Sequence, residues 1–317
     1  MDKVKVSILC ATYNHEKYIE YALKGFVNQK TNFKYEVIIH DDASTDSTVK
    51  IIEKYRKKYP DIIKPIYQKE NIYSKGEDFL IYMLPQAKGE FIAFCEGDDY
   101  WIDNNKLQIQ YDYMKENKDI SFCTHAFNII DENNNITSKT ISYNEDVDFD
   151  IKTYLTDKKT YQTATVFCRK KYLENLPKYY YEASIGDLPM LLHFLSNGKG
   201  HYINKIMSNY RYMTPDSWTY RNKNNIELKQ KNYEMVRNIY VNFNKHTKEK
   251  YNKEVCECLL KYDFNYAIQI NNFEEIFDKK YSNLYNSLPL KQRIKLRIKS
   301  NNFIYDLYKK IKYRNKV

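Results

Sequence analysis

Phe91-Ile92-Ala93-Phe94-Cys95-Glu96-Gly97-Asp98-Asp99-Tyr100-Trp101 is the stretch that decides the fold. An apolar, strand-like run stops at three carboxylates, and two aromatics follow. Acids packed against the end of a buried strand repel one another, so the arrangement asks for a counter-charge. Hard oxygen donors at such a point suit Mg²⁺ or Mn²⁺, which can in turn hold a phosphorylated ligand. In open α/β sheets, ligands sit just beyond the carboxyl ends of the strands. The plain structural alternative is an acidic strand-to-helix turn with Asp103 as N-cap.

A second stretch repeats the pattern. Tyr35-Glu36-Val37-Ile38-Ile39-His40 runs into Asp41-Asp42, and a Ser/Thr/Asp run then caps a helix expected from Ser47 to Tyr59. Upstream, Val4 to Ala11 reads as a strand that ends in Thr12, Tyr13 and Asn14. Three parallel strands would therefore bring Thr12/Tyr13, Asp41/Asp42 and Glu96/Asp98/Asp99 to one sheet edge. Strand capping is the competing explanation for the Thr12 and Asp41 groups.

The chain has 317 residues, enough for one large α/β domain and an appendage. Its hydrophobic content of 43% and charged content of 29% are those of a globular protein. The net charge of +10 invites nucleic acid, anionic lipid or a phosphorylated substrate. The excess is uneven, because ten Lys and Arg between Lys291 and Lys316 face only Asp306. Met1 to Lys5 leads straight into the first strand and no apolar run approaches the ~20 residues of a membrane span, so a cytoplasmic protein is expected. The six Cys and six His lack zinc or disulfide spacing, and the cysteines read as reduced.

Strand–helix alternation from Val4 to about Met114 predicts a mostly parallel central sheet flanked by helices, with strands also at Ile63–Tyr67, Ile120–Ile130 and Tyr161–Arg169. Asp131 to Asn135 reads as an exposed turn, and Ala183 to Pro189 precedes a helix expected to run to about Ser196. Short strands at His201–Ile203 and Met207–Met213 would close a domain spanning 1–213. From 214 to 317 the pattern is helical, with amphipathic helices at Ile226–Phe243, Val255–Ile270 and Phe273–Tyr285. The tail carries an apolar stripe of Phe303, Ile304, Leu307, Tyr308 and Ile311 beside its cations.

These motifs, in this order, resemble a family 2 glycosyltransferase of the inverting GT-A type, the kind that builds bacterial surface polysaccharides. The resemblance covers roughly Val4 to Arg211. It rests on Ala11-Thr12-Tyr13-Asn14, His40 to Asp46, Asn71 with Gly76 and Ala87 to Ile92, Glu96-Gly97-Asp98-Asp99, and Gly186-Asp187. Two departures stand out: Glu96 replaces the first Asp of the metal motif, and Met213 ends Tyr210-Arg211-Tyr212-Met213 where the family has His.

The resemblance implies a Rossmann-like GT-A domain, a nucleotide-diphosphate sugar donor with UDP favoured, and a hydroxyl of a glycan or lipid-linked glycan as acceptor. Asp99 and Asp98 would hold Mn²⁺ or Mg²⁺ and the diphosphate. Asp187 would be the general base, with an N-cap as its structural alternative. Thr12, Tyr13, Asn14, Asp41, Asp42, Gly76 and Arg211 would bind the nucleotide sugar. Trp101 reads either as stacking on a donor or acceptor sugar or as buried against the next helix, and Trp218 either as lining the acceptor side or as core packing. The tail 289–317 reads either as an anionic-membrane contact on the inner face or as a packing element, and the helical region could support an oligomer. A nucleotidyltransferase would need a Gly-rich loop after the first strand, which Ala11 to Glu16 lacks. A non-catalytic basic nucleic-acid binder fits the charge but leaves the acidic edge unexplained.

Overall fold

The computed structural model describes residues 3–157, 159, 161–212 and 225–301. The chain divides into two compact units, 1–248 and 249–317. The expected division after residue 213 falls among 213–224, outside the described residues, and the helix Ile226–His246 is part of the first unit.

The first unit is built on one sheet of ten strands: β1 (Val4–Thr12), β2 (Lys34–Asp41), β3 (Ile63–Tyr67), β4 (Phe91–Phe94), β5 (Tyr100–Trp101), β6 (Ile120–Ile130), β7 (Ile136–Thr140), β8 (Val147–Phe149), β9 (Phe167–Arg169) and β10 (Lys199–Arg211). Their order is β3-β2-β1-β4-β9-β6-β10-β5, with β7 beside β6 and β8 beside β10. The pairs β3–β2, β2–β1, β1–β4 and β6–β10 are parallel and include the longest registers, so the expected mixed α/β sheet, mostly parallel, is what forms. The inserted β9 and the edge strand β5 run antiparallel to their neighbours.

One face of the central strands is apolar and covered by helices. Val6, Ile8, Val37, Ile39, Phe91 and Ala93 meet Ile19, Leu23 and Phe26 of the helix Ile19–Val27, together with Leu107 and Met114 of the helix Lys106–Glu116. Each fully buried Ile, Leu or Phe contributes about 1.5–3 kcal/mol of transfer free energy.

Two differences from the sequence pattern have local causes. The strand expected over Tyr161–Arg169 forms only at its end, because the Gln162 side chain caps a 3-10 turn by accepting from the Ala164 N–H at 2.7 Å. The two short strands expected between His201 and Met213 are one strand, β10, whose register against β6 slips between Ile203 and Ser208. The slip leaves Asn204 and Lys205 exposed; Asn204 N–H reaches Asp146 at 2.7 Å and Lys205 reaches Asp103 at 2.6 Å.

The second unit is helical, with helices Asn252–Ile270, Phe273–Ile276, Ser282–Ser287 and Leu290–Ser300 around Phe264, Ala267, Ile276, Tyr281, Tyr285 and Leu296. One helix was expected over Phe273–Tyr285. It breaks where the Asp278 carboxylate accepts from the Lys280 N–H at 2.8 Å and starts a new turn. The tail stripe from Phe303 to Ile311 lies outside the described residues.

Candidate functional site

The carboxyl ends of β1, β2 and β4 come together as the sequence pattern requires, and the loops beyond them are tied by hydrogen bonds. The Thr12 carbonyl accepts from Asp42 N–H at 3.0 Å, and the Ala11 carbonyl accepts from Gly97 N–H at 2.9 Å. Asn14 turns left-handed with φ 53°, which presents its N–H to Ser44 Oγ at 2.9 Å and its Oδ1 to the Thr45 N–H at 2.8 Å. Glu16 N–H donates to Asp46, and Glu16 in turn accepts from Ser47 N–H. Gly97 is required by close approach: a Cβ there would stand 2.6 Å from Thr12 Oγ1 and 2.9 Å from His15 Nδ1.

Three acids crowd this edge. Asp99 is 2% exposed, with Oδ1 accepting from the Arg211 N–H at 2.8 Å and Oδ2 accepting from Gln162 Nε2 at 2.5 Å. Burial, and then the charges of Asp98 and Glu96, push its carboxyl well above the ordinary range. Burial followed by Asp98 pushes Glu96 up to about 7, and Asp187 adds to the effect. Glu96 Oε2, Thr12 Oγ1 and His15 Nδ1 are buried without a hydrogen-bond partner among the described residues. The half-buried Asp98 carboxylate receives no hydrogen bond from the described residues.

Mutually repelling carboxylates with unspent lone pairs fit a divalent cation. Among the described residues no three His, Cys, Asp or Glu side chains form a ready cage. A Mg²⁺-type site takes one or two carboxylates and completes its shell with water and phosphate oxygens.

Asp187 opens the helix Asp187–Asn197, and its Oδ1 accepts from the Leu188 N–H at 2.8 Å. The residue faces solvent, yet the surrounding walls desolvate the carboxylate enough to raise its pKa. Its field reaches Glu96, so both stand on one side of the site. Behind it, Tyr180 is buried, lies 3.3 Å from the place a Gly186 Cβ would occupy, and hydrogen-bonds Asp78. Asp78 follows Gly76, whose φ of 80° needs a residue without a Cβ.

The remaining expected residues divide. Asp41 accepts from Ser44 N–H and Oγ at 3.0 and 2.5 Å, and Asp42 accepts from the Ile72 and Tyr73 N–H groups at 2.8 and 3.1 Å. Both shape the loops around the edge, beside an exposed Tyr13. Arg211, expected on the nucleotide sugar, is 2% exposed and spends its guanidinium on the carbonyls of Asp98, Asp131 and Glu132 and on Asn134. It also covers the Tyr18 ring at 4.2 Å, so it clamps the acidic loop. Trp101, a candidate for stacking on a sugar, is 3% exposed, donates to the Ala164 carbonyl at 2.9 Å and meets Phe26 edge-on. β5 pairs with β10, and that side chain is part of the core. Trp218 lies outside the described residues.

Gln162, Tyr180 and Asp78 carry no pattern that would mark them in the sequence. Gln162 sits in a stretch that reads as strand, and the pairing of Tyr180 with Asp78 joins elements about a hundred residues apart.

The site can be set beside known proteins. Over 293 residues, 90% of this chain and 89% of the relative, the chain is 28% identical to GalNAc(5)-diNAcBac-PP-undecaprenol beta-1,3-glucosyltransferase of Campylobacter jejuni. It is 43% identical over 129 residues to an uncharacterised protein of Mycobacterium bovis, 40% of this chain and 36% of that one. It is 41% identical over 100 residues to the poly(ribitol-phosphate) beta-N-acetylglucosaminyltransferase TarS of Staphylococcus aureus, 31% of this chain and 17% of TarS. The chain thus matches about a third of the mycobacterial relative's length and about a sixth of that of TarS. Among solved structures, S. aureus TarS 1–349 in complex with UDP-GlcNAc aligns over 92% of this chain and 79% of that chain, with TM-score 0.60 and 20% identity. A Pyrobaculum calidifontis mannosyltransferase in complex with GDP-Man and Mn²⁺ aligns over 84% of this chain and 76% of that one, with TM-score 0.53 and 13% identity. These likenesses establish the GT-A fold. The family model for glycosyl transferase family 2 matches residues 7–176, more than half of the sequence, and the chain belongs to that family.

Proposed function

We propose that this protein is an inverting glycosyltransferase that moves a sugar from a nucleotide-diphosphate sugar to a hydroxyl of a glycan or lipid-linked glycan in surface-polysaccharide synthesis. The observation that carries the reading is the mutually repelling trio at the carboxyl end of β4, a buried Asp99 with half-buried Glu96 and Asp98, and Asp187 on the same side. A UDP-sugar is the favoured donor, supported by the fold shared with a TarS structure that holds UDP-GlcNAc. The name of the C. jejuni relative supports a lipid-linked acceptor.

Each residue then has a separable task. Asp98, whose carboxylate receives no hydrogen bond from the described residues, and Asp99, pinned by Gln162 and the Arg211 N–H, would hold Mn²⁺ or Mg²⁺. Once bound, the ion supplies Lewis-acid neutralisation of the diphosphate charge. Asp187 accepts the acceptor hydroxyl proton while that oxygen bonds to the anomeric carbon, and the sugar–diphosphate bond breaks on the opposite face. Its raised pKa makes it a better proton acceptor near neutral pH than an ordinary carboxylate. Tyr13 and Thr12 would flank the nucleobase, and Asn14, Asp41, Asp42 and Gly76 hold the loops that shape its pocket.

Among the described residues no helix is long and apolar enough to cross a membrane. The helix Leu290–Ser300 leaves Leu290 63% and Ile294 49% exposed among Lys291, Arg293, Lys295 and Lys299, which supports contact of 289–317 with an anionic membrane surface. A chain ending at Leu288 should then lose co-sedimentation with anionic liposomes; insolubility of that chain would mark the tail as a packing element instead. For the function itself, a panel of nucleotide sugars with Mn²⁺ is the direct experiment. A thermal shift with one sugar nucleotide, abolished by chelator, is expected. No metal-dependent shift with any of them would sink the reading.

A further inference from the structure

A second charged concavity lies at the opposite end of the sheet. Lys3, before β1, and Lys88-Gly89-Glu90, before β4, line a cavity of about 540 Å³ with Lys118, Arg169, Lys170, Lys171 and Glu174. Six cations face two acids there. Glu174 is partly spent on Lys170 at 3.6 Å, while Lys3, Lys88, Lys118 and Lys171 have no ion pair among the described residues.

The floor is fixed. Buried Glu36, 3% exposed, accepts from Ser7 Oγ at 2.8 Å and from the Lys88 N–H at 2.7 Å, and Ser7 Oγ accepts from the Gly89 N–H at 2.9 Å. A Cβ at Gly89 would stand 2.5 Å from the Ser7 backbone nitrogen, so only glycine lets this turn sit against β1. Arg169 is 6% exposed and held by the carbonyls of Ile120, Met114 and Asn117, with its guanidinium 5.2 Å from the Phe91 ring centre. Its Nη1 receives no partner from the described residues, although the residue lines the cavity.

We propose that this cleft is a binding site for a phosphate-bearing anion, separate from the acidic edge. Among the described residues no aromatic face and no apolar side chain lines it, which disfavours a nucleobase or an acyl chain there. What remains is a rigid basic bowl suited to phosphate oxygens, with lysines as mobile point charges and a fixed guanidinium at the back. The phosphate could be free in solution or belong to a lipid headgroup, and the test separates the two. The inference stands whether or not the glycosyl-transfer reading does.

Inorganic pyrophosphate is titrated calorimetrically into the full chain in low salt with EDTA, which silences any metal-dependent binding at the acidic edge. A soluble source predicts one saturable site, weakened at least tenfold in K88E/K171E and unchanged in D98N. In parallel, vesicles of phosphatidylglycerol with phosphatidylcholine are compared with phosphatidylcholine alone, the tail being kept intact. A headgroup source predicts that K88E/K171E loses binding to the anionic vesicles while pyrophosphate gives little heat. K88E/K171E should melt as the wild type does, since the Lys88 and Lys171 side chains are exposed. Equal binding by wild type and K88E/K171E in both arms, or none in either, overturns the proposal.

Discussion

The backbone N–H of Arg211 donates to Asp99 Oδ1 at 2.8 Å, joining residues 112 positions apart in the chain. The same arginine holds the Asp98 carbonyl through Nε at 2.9 Å. The acidic loop after β4 is therefore fixed by the last strand of the sheet, and Gln162 closes the other side of Asp99. With Asp99 anchored, Asp98 is the carboxylate free to meet a cation. Asp98→Asn should abolish metal-dependent turnover while the melting temperature stays within a few degrees of the wild type. Near wild-type activity in that variant would remove Asp98 from the account.

Asp187→Asn should lower kcat by about 10²–10⁴ and leave donor affinity close to unchanged, because a general base acts on the acceptor proton. Steady-state kinetics beside donor titration separates the two. A matching loss of donor affinity would make Asp187 part of the donor pocket.

Glu96 gives a pH dependence with a definite sign. Its pKa is about 7 in the fold, against an ordinary 4.5, so the folded state binds the extra proton. Its contribution to stability is fully present below about 4.5 and is lost as pH rises through about 7. Without metal, the melting temperature should fall over that window, and Glu96→Gln should flatten the fall. Mn²⁺ should flatten it as well, because a cation offsets the repulsion that raises the pKa. An identical slope in Glu96→Gln would assign the titration to another group.

Trp101→Phe should lower the melting temperature through loss of the Ala164 hydrogen bond and core contacts, at a cost on the order of 1–3 kcal/mol. The acceptor KM should not move, because the ring is 3% exposed. A raised acceptor KM with unchanged stability would restore Trp101 to the acceptor side.

Much of this architecture is legible in the sequence for a simple reason. β1, β2 and β4 are continuous apolar runs that end abruptly in polar groups, and a parallel sheet places those ends side by side. The position of Asp98 and Asp99 just past β4 follows that way, whereas Asp187 stands at the start of the helix Asp187–Asn197 and does not. Burial direction is harder to read: Trp101 follows the acids immediately, but its pairing with Ser208 turns it inward. Arg211 looks like a ligand-binding cation, and only the Asp131–Asn134 turn beside it shows where its donors go. Gln162 escapes notice because its role depends on capping a turn inside an apparent strand.

Donor binding at the acidic edge is the central claim, and isothermal titration of a UDP-sugar in the presence of Mn²⁺ tests it most directly. The account predicts saturable binding to the wild type that disappears with EDTA and in Asp98→Asn, while Trp101→Phe binds as the wild type does. Binding that survives both EDTA and Asp98→Asn would contradict it.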